Sequence, residues 1–194
     1  MMMRASQWGF VLIFDLVDDL LVTGTNNAKI QRLKDGLKAR FARDPRFGEV
    51  TWDFCKSYYG INVDHNRSTG ELKLNLRGKI DKFFEDHPIL SKLNGNSTTP
   101  VTTPAPVTSV ANKYKGTTDD DGKPKSELII ELHKNFRHYV GCLIFMAMSC
   151  RVDLAQVVCM LSQKMSNPDY DDANLLRHAL RYLDHNRYVS LTYK

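Results

Sequence analysis

Two short apolar runs, Gly9 to Val17 and Leu20 to Thr23, open the hydrophobic pattern of the chain, with only Asp18-Asp19 between them. Both runs are rich in β-branched and aromatic residues, and a two-residue polar gap is the spacing of a β-hairpin. Their near-continuous apolarity predicts strands buried on both faces. Gly24-Thr25-Asn26 then offers a helix cap, and Ile30, Leu33, Leu37 and Phe41 recur at helical spacing. A helix is predicted from about Asn27 to Ala42, with Lys29, Arg32, Lys34, Lys38 and Arg40 on its other face. After a turn at Asp44-Pro45, Trp52 to Val63 and Glu71 to Leu76 read as a second strand pair joined through Asp64 to Gly70, followed by a short helix near Lys79 to Glu85.

From Leu128 onward the period changes to that of helices. Leu128, Leu132, Phe136, Val140, Leu143, Ile144 and Ala147 form one stripe, and Asp153 with Gln156 is a capping pair for a helix over Leu154 to Met165. Ser166-Asn167-Pro168 stops it. A further helix, Tyr170 to Asp184, turns Leu175, Leu176, Ala179, Leu180 and Leu183 inward and Arg177, His178, Arg181 and His185 outward. Tyr188 to Tyr193 reads as a closing strand. Between the halves, Asn94 to Ser126 holds four of the seven prolines, a Thr-rich run and Asp119-Asp120-Asp121-Gly122, too little apolar surface to offset its ordering entropy. The expected organisation is α+β: residues 1–93 as a first part, 94–126 as a flexible Thr/Pro-rich linker, and 127–194 as a helical part.

Composition narrows the class. A chain of 194 residues, 42% hydrophobic, is long enough for a core without disulfides or a structural metal. Cys55, Cys142, Cys150 and Cys159 form no CxxC pair, which points to a reduced, intracellular setting. The most hydrophobic run is interrupted by Asp15, Asp18 and Asp19, so no segment has the length of a membrane span and no membrane partner is expected. A net charge of +5 permits a polyanionic partner without requiring one.

Candidate chemistry centres on Asp18-Asp19. Adjacent carboxylates repel, and partial burial adds a desolvation cost that a cation would offset. Carboxylate oxygens suit Mg²⁺, the ion of two-metal phosphoryl transfer; the alternative is a hydrated turn. Asp169-Tyr170-Asp171-Asp172 follows Asn-Pro and opens a helix, where acids favour the positive end of the dipole. Asp119 to Asp121 lacks the spacing of a calcium loop. The histidines form no HxxxH pair, and no serine lies in a nucleophile-elbow context.

The segment Phe14 to Gly24, FDLVDDLLVTG, resembles the acid-pair hairpin of reverse transcriptases, above all that of copia-type retrotransposons. Further similarities follow in the family's order. Ile30 to Phe41 is similar to its amphipathic helix, Phe47-Gly48-Glu49 to its Leu-Gly-Glu, and Tyr58 to Val63 to its Phe-Leu-Gly-Ile strand. Phe136 to Asp153 resembles its Tyr-Arg-x-x-Val-Gly block ending in Arg-Pro-Asp, and Leu161-Ser162, Met165 to Pro168 and Leu180 to Leu183 fall in place after it.

The resemblance implies the later part of a palm followed by connection or thumb-like helices. It implies RNA-directed DNA polymerisation by nucleotidyl transfer, Asp18 and Asp19 as catalytic and Mg²⁺-holding residues, and an RNA/DNA template-primer as partner. Leu16 stands where the family has Tyr, and Val152 where it has Pro. The family's third metal-binding Asp lies on an earlier strand, and nothing in Met1 to Val17 is similar to that segment or to the fingers. The expectation is therefore a fragment inactive alone, needing an N-terminal polymerase segment as partner. The alternative is a non-catalytic remnant that binds nucleic acid through Lys34, Lys38, Arg177 and Arg181, or that binds another protein.

Overall fold

The computed structural model describes residues 11–16, 19–41, 53–95, 99–106 and 126–194, with the side chains of Leu16 and Asp19 excepted. Asp18, the Phe47-Gly48-Glu49 motif and Asp119 to Asp121 lie outside the described residues. The chain divides into two compact units, Met1–Tyr58 and Tyr59–Lys194.

In the first unit, β1 (Val11–Leu16) pairs antiparallel with β2 (Asp19–Gly24), in register from Val11↔Gly24 to Leu16↔Asp19. Asn26 then accepts from the Lys29 amide at 3.0 Å and so caps α1 (Asn27–Phe41). Ile30, Leu33, Leu37 and Phe41 are half-buried, and no residue of α1 is fully buried. A two-residue strand, β3 (Ser57–Tyr58), ends the unit.

The expected burial of the hairpin on both faces is not what is found. Leu12, Ile13 and Phe14 are each about half exposed, and Leu20 is 42% exposed. Val11, Leu21 and Val22 are half-buried, and among the described residues the sheet has only two strands, which by themselves cover little apolar surface.

The second unit holds the core. β4 (Ile61–Asn66) and β5 (Glu71–Asn75) pair antiparallel, and β6 (Leu191–Tyr193) adds to the far side of β5 with Leu74 opposite Leu191. The turn between β4 and β5 is closed by Asn66, whose Oδ1 accepts from the amides of Ser68 and Thr69, while Gly70 takes a φ of +74°. α2 (Arg77–Asp86) and a 3-10 helix (Pro88–Lys92) follow. The helical layer consists of α3 (Glu127–Lys134), α4 (Phe136–Ser149), a 3-10 turn (Val152–Leu154), α5 (Ala155–Ser162) and α6 (Tyr170–His185).

Leu76, Ile80 and Leu93 are buried in one cluster with Leu132, Leu143, Leu154, Leu161, Leu176 and Leu183. Each fully buried leucine contributes roughly 1.5–3 kcal/mol relative to exposure. This shared cluster places the division of the chain at Tyr58/Tyr59, whereas the composition shift at 94–126 suggested a division there. Residues 61–93 belong with the helices because their apolar side chains have no other core.

Three local features also depart from the sequence pattern. The stripe over Leu128 to Ala147 is two helices, interrupted at Asn135, whose side chain donates to Glu131 at 2.6 Å. Asp153 does not cap α5; Leu154 occupies that position without a side-chain hydrogen bond. Part of the expected linker is a strap, residues 99–106, laid along α6 with Val101 and Ala105 packed against the core. The Val101 amide donates to His185 Nδ1 at 3.1 Å, and Asn186 donates to the Val101 carbonyl at 3.1 Å.

At the entry to β4, Tyr59 and Gly60 both have positive φ, 53° and 75°. A Cβ at Gly60 would collide with the Lys79 side chain, which crosses directly over the backbone. The Lys79 ammonium lies 4.6 Å from the Phe145 ring centroid and 5.5 Å from that of Tyr59, and the two rings meet edge to face at 5.7 Å.

Candidate metal and nucleic-acid site

The acid pair falls where β1 gives way to β2. Leu16 faces Asp19 across the ladder, so Asp19 is the first residue of β2, and Asp15 pairs one step back with Leu20. Asp15 is exposed. Leu12, Ile13, Phe14 and Leu20 of the ribbon are exposed, while Val11, Leu21 and Val22 are half-buried. What recommends Mg²⁺ for Asp18 and Asp19 is the donor chemistry of two carboxylates and the resemblance of the segment. Among the described residues, no group of three or more His, Cys, Asp or Glu side chains could hold a metal ion.

The four basic candidates fall into two settings. Lys34 and Lys38 are one helical turn apart on α1, the first half-buried and the second exposed. Arg177 and Arg181 lie on α6 and reach across to the chain that runs beside it. Arg177 donates through Nε and Nη2 to the Leu93 carbonyl, both at 3.2 Å. Arg181 donates from Nε to Asn94 Oδ1 at 3.2 Å and from Nη2 to the Thr99 carbonyl at 3.4 Å. His178 on the same face meets the Thr103 carbonyl at 3.0 Å. Arg181 and His178 of α6 therefore hold the strap through its Thr99 and Thr103 carbonyls, while Arg177 holds the Leu93 carbonyl before it; the sequence pattern did not reveal this because these acceptors are main-chain groups.

Arg151 is the charged residue whose role the sequence pattern missed. Its side chain is fully buried and clasps Asp153, with Nε 3.0 Å from Oδ1 and Nη2 2.7 Å from Oδ2. Nη1 donates to the Asn186 carbonyl at 2.9 Å, and Tyr182 Oη donates to Asp153 Oδ2 at 2.7 Å. Burial would raise the Asp153 carboxyl, but the hydrogen bonds from Arg151 and Tyr182 and the Arg151 charge outweigh it and hold it below the ordinary carboxylate range. Burial and the adjacent Asp153 push the Tyr182 phenol up. The Arg-x-Asp end of the Phe136 to Asp153 block thus joins the α4–α5 turn to the C-terminal end of α6. A charge set in the apolar run Cys150 to Leu154, with an acid two residues on, is the signal that could have found it.

A second ion-pair group closes the same unit: Arg187 binds Asp184 and, at 3.0 Å, Asp81, and its guanidinium lies 4.3 Å from the Phe84 ring centroid. No described helix is long and apolar enough to cross a membrane.

No family model matches the chain, and no solved structure matches it. The Retrovirus-related Pol polyprotein from transposon RE1 of Arabidopsis thaliana is 27% identical over 174 residues, covering 90% of this chain and 10% of that protein. The polyprotein from transposon RE2 of the same plant gives the same identity and coverage. That from transposon TNT 1-94 of Nicotiana tabacum is 24% identical over 181 residues, 93% of this chain and 12% of its own length. The chain spans about a tenth of the length of the curated relatives it matches, and it is distantly related to the Pol polyproteins of retrotransposons.

Proposed function

We propose that the chain is a portion of a copia-type reverse transcriptase whose inherited role is RNA-directed DNA polymerisation. The observation that carries this reading is the β1–β2 register, which sets Asp19 at the start of β2 directly before α1, in a chain that aligns over nine-tenths of its length with Pol polyproteins. Asp18 and Asp19 would hold Mg²⁺, which when bound supplies charge neutralisation at the transferring phosphoryl group.

Two-metal chemistry draws its ligands from separate chain segments, and positioning accounts for roughly 7–11 kcal/mol of barrier lowering. Asp15 lies on the same strand as the approach to the pair and supplies no second segment. The proposal is that polymerisation needs a carboxylate and a nucleotide-positioning surface from another part of the polyprotein. In a primer-extension assay with Mg²⁺ or Mn²⁺, the purified chain alone is expected to give no product. Extension by the chain alone, abolished by Asp18→Asn, would overturn this requirement. Failure to extend when every other polymerase segment is supplied would overturn the reading as a whole.

A second reading is nucleic-acid binding without catalysis, favoured by the basic residues of α1, where Lys34 and Lys38 share a face. Mobility shifts across a salt series test it. Binding through the two lysines predicts that Lys34→Gln with Lys38→Gln lowers the slope of log affinity against log salt by about 1.5–2.

A further inference from the structure

The strap carries two Thr-Pro dipeptides four residues apart, Thr99-Pro100 and Thr103-Pro104. Thr99 is exposed and lies outside regular secondary structure, while Thr103 is half-buried against α6. Proline fixes its own φ and biases the residue before it to extended backbone. Protein kinases take their substrates extended, and those of the proline-directed class accept a residue without an amide hydrogen after the target hydroxyl. The surroundings of Thr99 are the second observation. Arg181 already donates to its carbonyl at 3.4 Å, and Arg177 lies one helical turn earlier on the same face of α6. Asp184, also on α6, accepts from Asn94 at 3.3 Å and is paired with Arg187.

We propose that Thr99 is a phosphorylation site for a proline-directed protein kinase, and that the phosphate locks the strap onto α6 through Arg181. In the reaction the Thr99 hydroxyl attacks the γ-phosphorus of ATP. The Oγ–P bond forms, the bond from the γ-phosphorus to the bridging oxygen breaks, ADP leaves, and the hydroxyl proton passes to the kinase's base. The product carries a charge of about −1.5 to −2 and three strong acceptor oxygens beside the Arg181 guanidinium, which already donates to the Thr99 carbonyl. Thr103 serves as an internal control, since it has the same dipeptide without the same exposure.

The test uses the full chain, ATP and a purified proline-directed kinase, with the site assigned by tandem mass spectrometry. The expected result is stoichiometric label on Thr99, gained at least about tenfold faster than on Thr103. The Val101 amide, bonded to His185, then exchanges with solvent roughly tenfold more slowly, the effect of about one added charge-assisted hydrogen bond. In Arg181→Gln the label is retained and the slowing is lost; in Arg181→Lys part of it remains. Absence of label at Thr99, equal labelling of Thr103, or unchanged slowing in Arg181→Gln overturns the proposal. None of these readouts requires polymerisation or nucleic-acid binding, so the proposal stands or falls apart from the reading above.

Discussion

Arg151 and Asp153, two residues apart in sequence, face each other across a turn with the guanidinium wholly inside the protein and the carboxylate about one quarter exposed. The asymmetry governs what each contributes. The arginine has given up its hydration and depends on Asp153 and the Asn186 carbonyl, whereas the aspartate keeps partial access to water and a bond from Tyr182.

Removing the acid should therefore cost more than removing the base. Asp153→Ala leaves a buried unpaired cation and is expected to lower stability by about 3–5 kcal/mol. Arg151→Met, which fills a similar volume with apolar atoms, is expected to cost less. Urea unfolding of the two variants checks the ranking, and a larger loss for Arg151→Met would refute it.

The same pair sets an acid limit. A carboxylate held below its unfolded value adds stability that is complete above the unfolded value, about 4, and disappears as pH falls through the folded value. The stability difference between the native chain and Asp153→Asn should be constant above about pH 5 and shrink progressively below about pH 4. Parallel curves down to pH 2 would contradict the downward shift.

At the start of α6, Asp169 Oδ1 accepts from the Asp172 amide at 2.8 Å while Asp172 Oδ2 accepts from the Asp169 amide at 3.0 Å. This reciprocal capping box predicts a loss of about 0.5–2 kcal/mol for Asp169→Ala and little change for Asp169→Ser. Thermal unfolding followed by circular dichroism distinguishes the two.

The exposed ribbon of the first unit predicts the opposite behaviour. Ile13→Thr or Phe14→Thr should change stability by less than about 0.5 kcal/mol in urea unfolding, because each side chain is about half exposed. A loss above 1 kcal/mol in the chain by itself would show that the ribbon is covered.

Where local chemistry decides structure, the sequence was readable. The hairpin spacing around Asp18-Asp19, the Asn26 cap of α1 and the Asp169 cap of α6 are short-range signals, and the elements follow them within a residue or two, whereas α5 ends at Ser162, three residues before the expected Met165. Three-dimensional partnerships were not readable. Leu12 and Leu132 are both leucines in apolar runs, yet one is 48% exposed and the other fully buried, because the second belongs to the core cluster shared by α2, α4, α5 and α6. Arg177 and Arg181 are expected from the sequence to face outward, since nothing in the sequence announces that the Leu93 and Thr99 carbonyls will lie beside α6. At Asp18 and Asp19 residue type alone suggests Mg²⁺, and the described residues add no third ligand to the pair.

The crossing of Lys79 over Gly60 ties together two positions nineteen apart in sequence. Any side chain at position 60 must contend with the lysine stem and also with a left-handed backbone that costs a non-glycine residue roughly 1–2 kcal/mol. Shortening residue 79 relieves only the first of these, and it also removes the cation from the Phe145 and Tyr59 rings. The two sites are therefore expected to drift as a coupled pair among relatives: a long amphipathic residue at 79 where 60 is glycine, and a small one at 79 where 60 has become asparagine.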